Sequence, residues 1–434
     1  MTHFPTAFRF TLLVALPIIL PCVAAAQATA YETIYSFHGT PDGSQPEGSL
    51  VIGTNGVLYG TTYSGGTSNL GTVFVLTKPT EEPWKETVLH TFSGPDGQNP
   101  QSTLIVSTEG ALYGTTLRAS GPYASGTIFE MAPPSTAGGA WAETVLYTFV
   151  YVAQPQEAQN VLPNGTLLPG PGGTLYTTTQ GSADDPNGGP SLGAVVALVP
   201  PTATGDAWTE YVLYAFSAPG VSAEPRAGLV SEGGSLYGTD IEGGSFSCDC
   251  GAVFELTPPA SHGGAWTEST IYSFGEIPGD GSSPQAALTV GPGGVLYGTT
   301  AFGGSAACGC GTVFQLAPPS TEGGAWTESV IYSFAGSNGD GSGPVASVVV
   351  GQNGALYGTT VGGGSANLGT VFKLTPPATS GGPWTETVLH SFTGQNGDGA
   401  TPLAALVLGP SGVLYGTTSK GGTAERGAVF AVAP

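Results

Sequence analysis

The segment Leu-Tyr-[Gly/Thr]-Thr recurs seven times, with its Tyr at Tyr59, Tyr113, Tyr176, Tyr237, Tyr297, Tyr357 and Tyr415, at spacings of 54 to 63 residues. A period of that size means that one supersecondary unit is repeated, so the nature of the unit decides the fold. After each segment comes a Gly-rich loop and then Gly-[Thr/Ala]-[Val/Ile]-Phe, ending at Phe74, Phe129, Phe254, Phe314, Phe372 and Phe430, with Val196 in the third copy. A turn, usually Pro-Pro followed by Gly-Gly, leads to Trp-x-Glu and an alternating run that closes on Phe. Trp84, Trp141, Trp208, Trp266, Trp326 and Trp384 mark it in six copies. A loop then reaches Pro-x-x-x-[Leu/Val], as at Pro284 to Leu288, and the cycle restarts.

Each unit reads as four short strands bounded by Gly, Pro, Asn or Asp. In residues 284–334, strand A is expected at Ala286 to Val290, B at Val295 to Thr300, C at Gly311 to Ala317 and D at Trp326 to Phe334. Four antiparallel strands repeated radially make an all-β propeller. The ends of the chain fix the count. Residues 31–37 read as a D strand with nothing before it, and Gly427 to Pro434 as a C strand with no D after it. The first fragment would complete the unit formed by residues 402–434, which closes the ring as three strands plus one and removes its seam. Seven blades are expected, in one domain spanning residues 29–434.

Composition agrees. There are 71 Gly and 36 Pro, each unfavourable inside a helix, yet 40% of residues are hydrophobic, so neither a helical nor a disordered chain fits. Thirty acidic residues against eight basic ones give a formal charge of −22. Such a field repels phosphate backbones and anionic headgroups, which argues against nucleic-acid and membrane-surface binding. The repeated Glu after each Trp (Glu86, Glu143, Glu210, Glu268, Glu328 and Glu386, with Glu32 as the N-terminal equivalent) is expected on the outermost strand, where charge discourages edge pairing.

Residues 1–28 have the layout of a secretory leader: Arg9, an apolar run from Phe10 to Val23, and small residues at Ala24, Ala26 and Ala28. Cleavage is expected after Ala26 or Ala28. The apolar run is short for a membrane span and contains Pro17 and Pro21. A secreted, monomeric mature chain with no membrane span follows.

The L-Y-G-T-T, G-G, G-T-V-F and L-T-P-P segments resemble the GloVer tandem repeat of secreted bacterial proteins named choice-of-anchor. The resemblance covers essentially the whole mature chain. It implies export and a propeller, and brings no catalytic residues with it. This chain stops after the last strand without the sorting tail of the anchored members, so release is expected over surface attachment. The strand order also resembles that of NHL-type propellers.

In such a blade the B–C and D–A loops share one face, and these vary while the C–D turns are uniform. Function is expected there and at the adjoining channel mouth. Five D–A loops carry Asp-Gly: Asp42, Asp96, Asp280, Asp340 and Asp398. A ring of carboxylates attracting Ca²⁺ is the functional reading, and Asp-Gly as a turn former is the structural one. No other cofactor, and no defined metal-ligand set, is indicated.

Cys248 and Cys250, then Cys308 and Cys310, form two Cys-x-Cys pairs in adjacent B–C loops. Local disulfides are preferred, and a four-thiolate zinc site is the alternative. The third unit is irregular, with Thr177 in place of Gly, Val196 in place of Phe, a long approach from Val150 to Leu162, and Asp184 and Asp185 in its B–C loop. Drift in a tolerant blade explains this, while a partner contact would use Tyr151, Asp184 and Asp185. His90 and His390 fill a D-strand slot held elsewhere by Tyr and read as packing residues. No phosphate loop or nucleophile elbow appears.

The leading expectation is a non-enzymatic exported binding propeller for an extracellular ligand or protein, with a glycan or divalent cation at the variable face. A polysaccharide-active enzyme with channel-mouth carboxylates is the alternative, and an extracellular structural or adhesive protein is the third.

Overall fold

The computed structural model describes residues 31–434 apart from 80–82, 122–123, 137, 151–161, 181–192, 204–205, 217–223, 245–247, 262–263, 322 and 380. Seven antiparallel four-stranded sheets form the ring, so the protein is a seven-bladed β-propeller. In blade 5 the strands are A Thr289–Val290, B Leu296–Thr300, C Thr312–Ala317 and D Thr327–Ser333. Strand A is shorter than expected, because the residues before it turn away from the ladder to line the axis. A short 3₁₀ turn, such as Pro292–Gly294, joins A to B in several blades.

Blade 7 is assembled from both ends of the chain. Tyr31–Ser36 pairs with Ala428–Val432, in the register Tyr31 with Val432 and Ser36 with Ala428. The closure continues past the strand, where Phe37 N–H donates to Gly427 O (3.0 Å) and Gln45 N–H to Arg426 O (2.7 Å).

The core lies between blades. In six of the seven interfaces the Phe that closes the D strand meets the C-strand Phe of the next blade edge-to-face: Phe37 with Phe74, Phe92 with Phe129, Phe216 with Phe254, Phe274 with Phe314, Phe334 with Phe372, and Phe392 with Phe430, at centroid distances of 5.0–5.3 Å. This is the favoured aromatic geometry. The B-strand Tyr likewise packs against the Trp of the next blade, as Tyr237 does with Trp326.

The Gly of L-Y-G exists for that Phe. Gly298 faces Phe314 across the ladder, and a Cβ on it would lie 2.3 Å from the ring. In blade 3 the facing pair is Thr177 and Val196, and Phe149 packs into the same cluster as Val196. Two of the third unit's irregularities are thus one volume exchange, a larger B-strand residue against a smaller C-strand residue. Thr177 Oγ1 also donates to Gly165 O at 2.9 Å.

All seven D strands carry a bulge against strand C, at Ile34 in blade 7 and Leu89 in blade 1, for example. A bulge inserts one residue and re-aims the next side chain. That next side chain is Tyr35, His90, Tyr147, Tyr214, Tyr272, Tyr332 or His390.

The compensation in blade 3 yields a prediction. Val196→Phe alone overpacks against Thr177 and should cost about 1–3 kcal/mol in urea unfolding. The double variant Thr177→Gly/Val196→Phe should recover most of that loss.

Candidate functional site: blade interfaces and channel mouth

The five Asp-Gly aspartates occupy equivalent places at the outer rim, one per blade interface. Asp280 accepts from Gly275 N–H (2.8 Å), Gly281 N–H (2.7 Å) and the Tyr272 hydroxyl (3.0 Å). Asp42 and Asp340 do the same with Tyr35 and Tyr332. Asp96 accepts from Ser93 N–H, Ser93 Oγ and Gly94 N–H and meets His90 Nε2 at 3.0 Å. Asp398 meets His390 at 3.1 Å and accepts from Thr393 N–H, Gly399 N–H and the Tyr31 hydroxyl (2.7 Å). Each aspartate organises its own loop, which is turn chemistry, and ties that loop to the preceding D strand. The carboxylates do not converge on one point.

The repeated Glu corrects an expectation. It is half-buried, not an exposed edge charge: in Lys85–Thr91 the neighbours Lys85 and Thr87 face solvent while Glu86 turns inward. One oxygen of each of Glu86, Glu143, Glu328 and Glu386 is closed off from solvent without a hydrogen-bond partner. Burial, then the charge of the aspartate in the preceding loop (Asp42, Asp96, Asp280 or Asp340), pushes these four carboxyls up to about 7.

Glu32 is not the N-terminal equivalent. Thr33 pairs with Phe430 as Val88 pairs with Phe74, which aligns Tyr31 with Glu86 and leaves Glu32 exposed beside the slot. At that interface a hydroxyl donor replaces a carboxyl. Burial pushes Asp398 up, but the bonds from His390, Tyr31 and Thr393 outweigh it and hold Asp398 below the usual carboxylate range. Tyr31 also stacks on His390 at 3.5 Å. Between blades 2 and 3 no Asp-Gly intervenes, and the Tyr147 hydroxyl donates directly to Glu210 (2.6 Å).

At the axis, one cavity of about 350 Å³ is lined by a residue from every blade: Glu47, Gln101, Asn164, Arg226, Gln285, Val345 and Leu403. Each follows the Pro of Pro-x-x-x-[Leu/Val], and a narrower cavity of about 160 Å³ includes the same seven positions. Before most of these prolines the backbone is left-handed (Gln45 φ 58°, Asn99 57°, Glu224 55°, Ser283 59°, Thr401 55°), which sets the approach to the axis. Blades 1 to 5 contribute polar groups, and blades 6 and 7 aliphatic ones.

Gln101 Nε2 donates to Glu47 at 3.0 Å, and burial raises the Glu47 carboxyl above its ordinary value. Arg226 pairs with Glu224 at 3.0 Å. The Gln180 amide lies 2.8 Å from the same guanidinium and 2.7 Å from Asn164. This seven-residue ring was not singled out from sequence, where its signal is one varying position inside an otherwise repeated segment.

The B–C and D–A loops do share a face, since they pair in two-stranded ladders such as Gly43–Ser44 with Ser64–Gly65. Tyr151, Asp184 and Asp185 lie outside the described residues. The disulfides are local, Cys248–Cys250 and Cys308–Cys310, each with Cα atoms 5.2 Å apart. No helix among the described residues is long and apolar enough to cross a membrane.

These features define a repeat propeller with a uniform frame and an individual residue from each blade at its axis. The chain belongs to the Gloeobacter/Verrucomicrobia repeat family, whose pattern matches residues 23–189 and 304–434. No curated protein matches the chain. Among solved structures it is similar to a provisionally assigned 6-phosphogluconolactonase from Bacteroides uniformis, at 13% identity and TM-score 0.50, covering 85% of this chain and 90% of that one. It is also similar to the extracellular domain of a provisionally assigned one-component system from B. thetaiotaomicron, at 11% identity and TM-score 0.50, covering 93% of this chain and 42% of that one. A polysaccharide lyase of the PL25 ulvan lyase family aligns at 9% identity and TM-score 0.47, over 92% and 95% of the two chains. At these identities the likeness is one of fold.

The raised carboxyls give a pH prediction. Glu86, Glu328 and Glu386 bind a proton more tightly folded, at about 7, than at their ordinary 4.5, so their contribution is greatest at low pH and is lost as pH rises through 7. The melting temperature should fall between pH 5 and pH 8. Glu328→Gln should flatten that fall, as read by differential scanning calorimetry.

Proposed function

We propose that this protein is an exported, non-enzymatic binding propeller that takes a neutral, hydroxyl-rich ligand, such as a short oligosaccharide, at the channel mouth. The observation that carries the reading is the axial ring. A binding site for one ligand needs asymmetry, and the seven post-proline positions supply it inside a repeated frame. Gln101, Asn164, Gln285 and Arg226 offer amide and guanidinium donors, and the amides also offer acceptors, which suits hydroxyl groups better than ions. Val345 and Leu403 offer an apolar wall for the C–H face of a sugar. A volume of about 350 Å³ lies in the usual range for small-molecule sites, about 300–1,000 Å³. The local disulfides suit an oxidising compartment, and residues 1–28 supply the export route, with the mature chain starting at Gln27 or Thr29.

Glu47 and Arg226, two ionisable groups in one cavity, favour a second reading, an enzyme acting on polysaccharides. Acid–base cleavage of a glycoside needs two carboxyls set across the bond. Among the described residues Glu224 is engaged by Arg226, which leaves Glu47 as the one carboxyl lining the cavity, so binding is the better supported reading.

The test is calorimetric titration of the chain with a panel of neutral and uronate-containing oligosaccharides. Gln101→Ala and Gln285→Ala should each weaken the best ligand by about five- to tenfold, the loss of roughly one net hydrogen bond. No new reducing ends or unsaturated products should appear. Turnover abolished by Glu47→Gln with binding retained would establish the enzyme instead.

A further inference from the structure

Five of the seven blade interfaces share a three-position plan: a D-strand Tyr or His from one blade, the loop Asp, and an inward Glu or Tyr from the D strand of the next. Three interfaces hold Tyr, Asp and Glu: Tyr35–Asp42–Glu86, Tyr272–Asp280–Glu328 and Tyr332–Asp340–Glu386. The seam holds His390, Asp398 and Tyr31. The interface between blades 1 and 2 combines His90, Asp96 and Glu143, and among the described residues it is the one place where three such groups bring ligand atoms within 4.8 Å of one another.

We propose that His90 Nε2, a carboxylate oxygen of Asp96 and a carboxylate oxygen of Glu143 form a binding site for a first-row divalent cation of the zinc type, which clips blade 1 to blade 2. The ligand set is right for that class: one imidazole with two carboxylates suits zinc and its neighbours, whereas Ca²⁺ prefers six or more oxygens. The His90–Asp96 distance of 3.0 Å is close to the edge of about 3.3 Å that a tetrahedron with bonds of about 2.0 Å requires.

Two further observations bear on this interface. Glu143 Oε1 is excluded from solvent and takes no hydrogen bond, as is the case for Glu86, Glu328 and Glu386, but here the D-strand slot beside it holds the imidazole of His90 where those three interfaces hold a Tyr. At the other His interface the third ligand is missing, because Tyr31 stands in the Glu slot and stacks on His390. The site also has an entry path, since the His90 and Asp96 side chains retain 20% and 18% of their exposure. Asp96 is already oriented by Ser93 N–H, Ser93 Oγ and Gly94 N–H, the outer contacts that hold a ligating carboxylate in place.

The experiment uses the full chain without an affinity tag, stripped with EDTA and dialysed. Zn²⁺ is titrated in competition with a chromogenic chelator, stoichiometry is read by elemental analysis, and melting is followed with and without the ion. The expected result is one Zn²⁺ per chain and a higher melting temperature. His90→Tyr rebuilds the Tyr–Asp pair of three other interfaces, so it should fold and melt like the stripped wild type while losing Zn²⁺ affinity at least about tenfold. Glu143→Gln should lose it similarly, and His390→Tyr should leave binding unchanged. A wild type that binds less than one equivalent, a His90→Tyr variant that binds like wild type, a loss with His390→Tyr, or Ca²⁺ bound in preference to Zn²⁺ would each overturn the proposal.

Discussion

Everything in this molecule depends on the pairing of Tyr31–Ser36 with Ala428–Val432. A propeller blade buries its faces against its neighbours, and its sheet has an inner and an outer edge that the next blade does not pair. Closing the ring with one strand from the other end of the chain converts seven marginal sheets into one cooperative body, since each Phe–Phe contact then has a neighbour on both sides. The closing strand also carries the seam's rim contacts. Tyr31 replaces the Glu used at the six other interfaces and donates to Asp398, so the interface between blades 6 and 7 lacks the carboxyl–carboxylate opposition present at four of them.

The structure divides its residues between frame and axis. At the rim, bulged D strands aim Tyr or His at a loop aspartate, and the aspartate faces a half-buried Glu of the next blade. Inside, Gly at the B strand gives room to Phe at the C strand, and where the Gly is lost the Phe is lost with it. At the axis the same fold presents Glu47, Gln101, Asn164, Arg226, Gln285, Val345 and Leu403, seven side chains held alike and chemically distinct in their grouping. A rigid ring of this kind can vary its axial residues without disturbing the frame, because they pack against a cavity and not against a core.

Much of this was legible in the sequence. The Leu-Tyr period, the phase offset of the ends and the paired cysteines led directly to seven blades, a three-plus-one closure and local disulfides. What failed did so for identifiable reasons. Glu32 was aligned by residue type, whereas counting back from Phe37 and Phe92 places Tyr31 opposite Glu86. The lack of a Trp at the N-terminal strand removed the anchor that would have shown the slip. The burial of the repeated Glu was in fact written in the alternation, since Trp84, Glu86 and Val88 share one parity ahead of the bulge at Leu89, but its charge argued for the opposite face. The axial ring is faint in the sequence because its signal is a single varying residue inside a constant Pro-x-x-x-[Leu/Val] segment, with no change in loop length to mark it.

The most direct test of the account is a crystal structure of the protein soaked with the oligosaccharides it binds in solution. Sugar density is expected at the channel mouth, with hydroxyls within hydrogen-bond distance of Gln101 and Gln285 and a C–H face against Leu403. Density at the outer rim or on the face of the C–D turns, with the axial cavity filled by water alone, would contradict it.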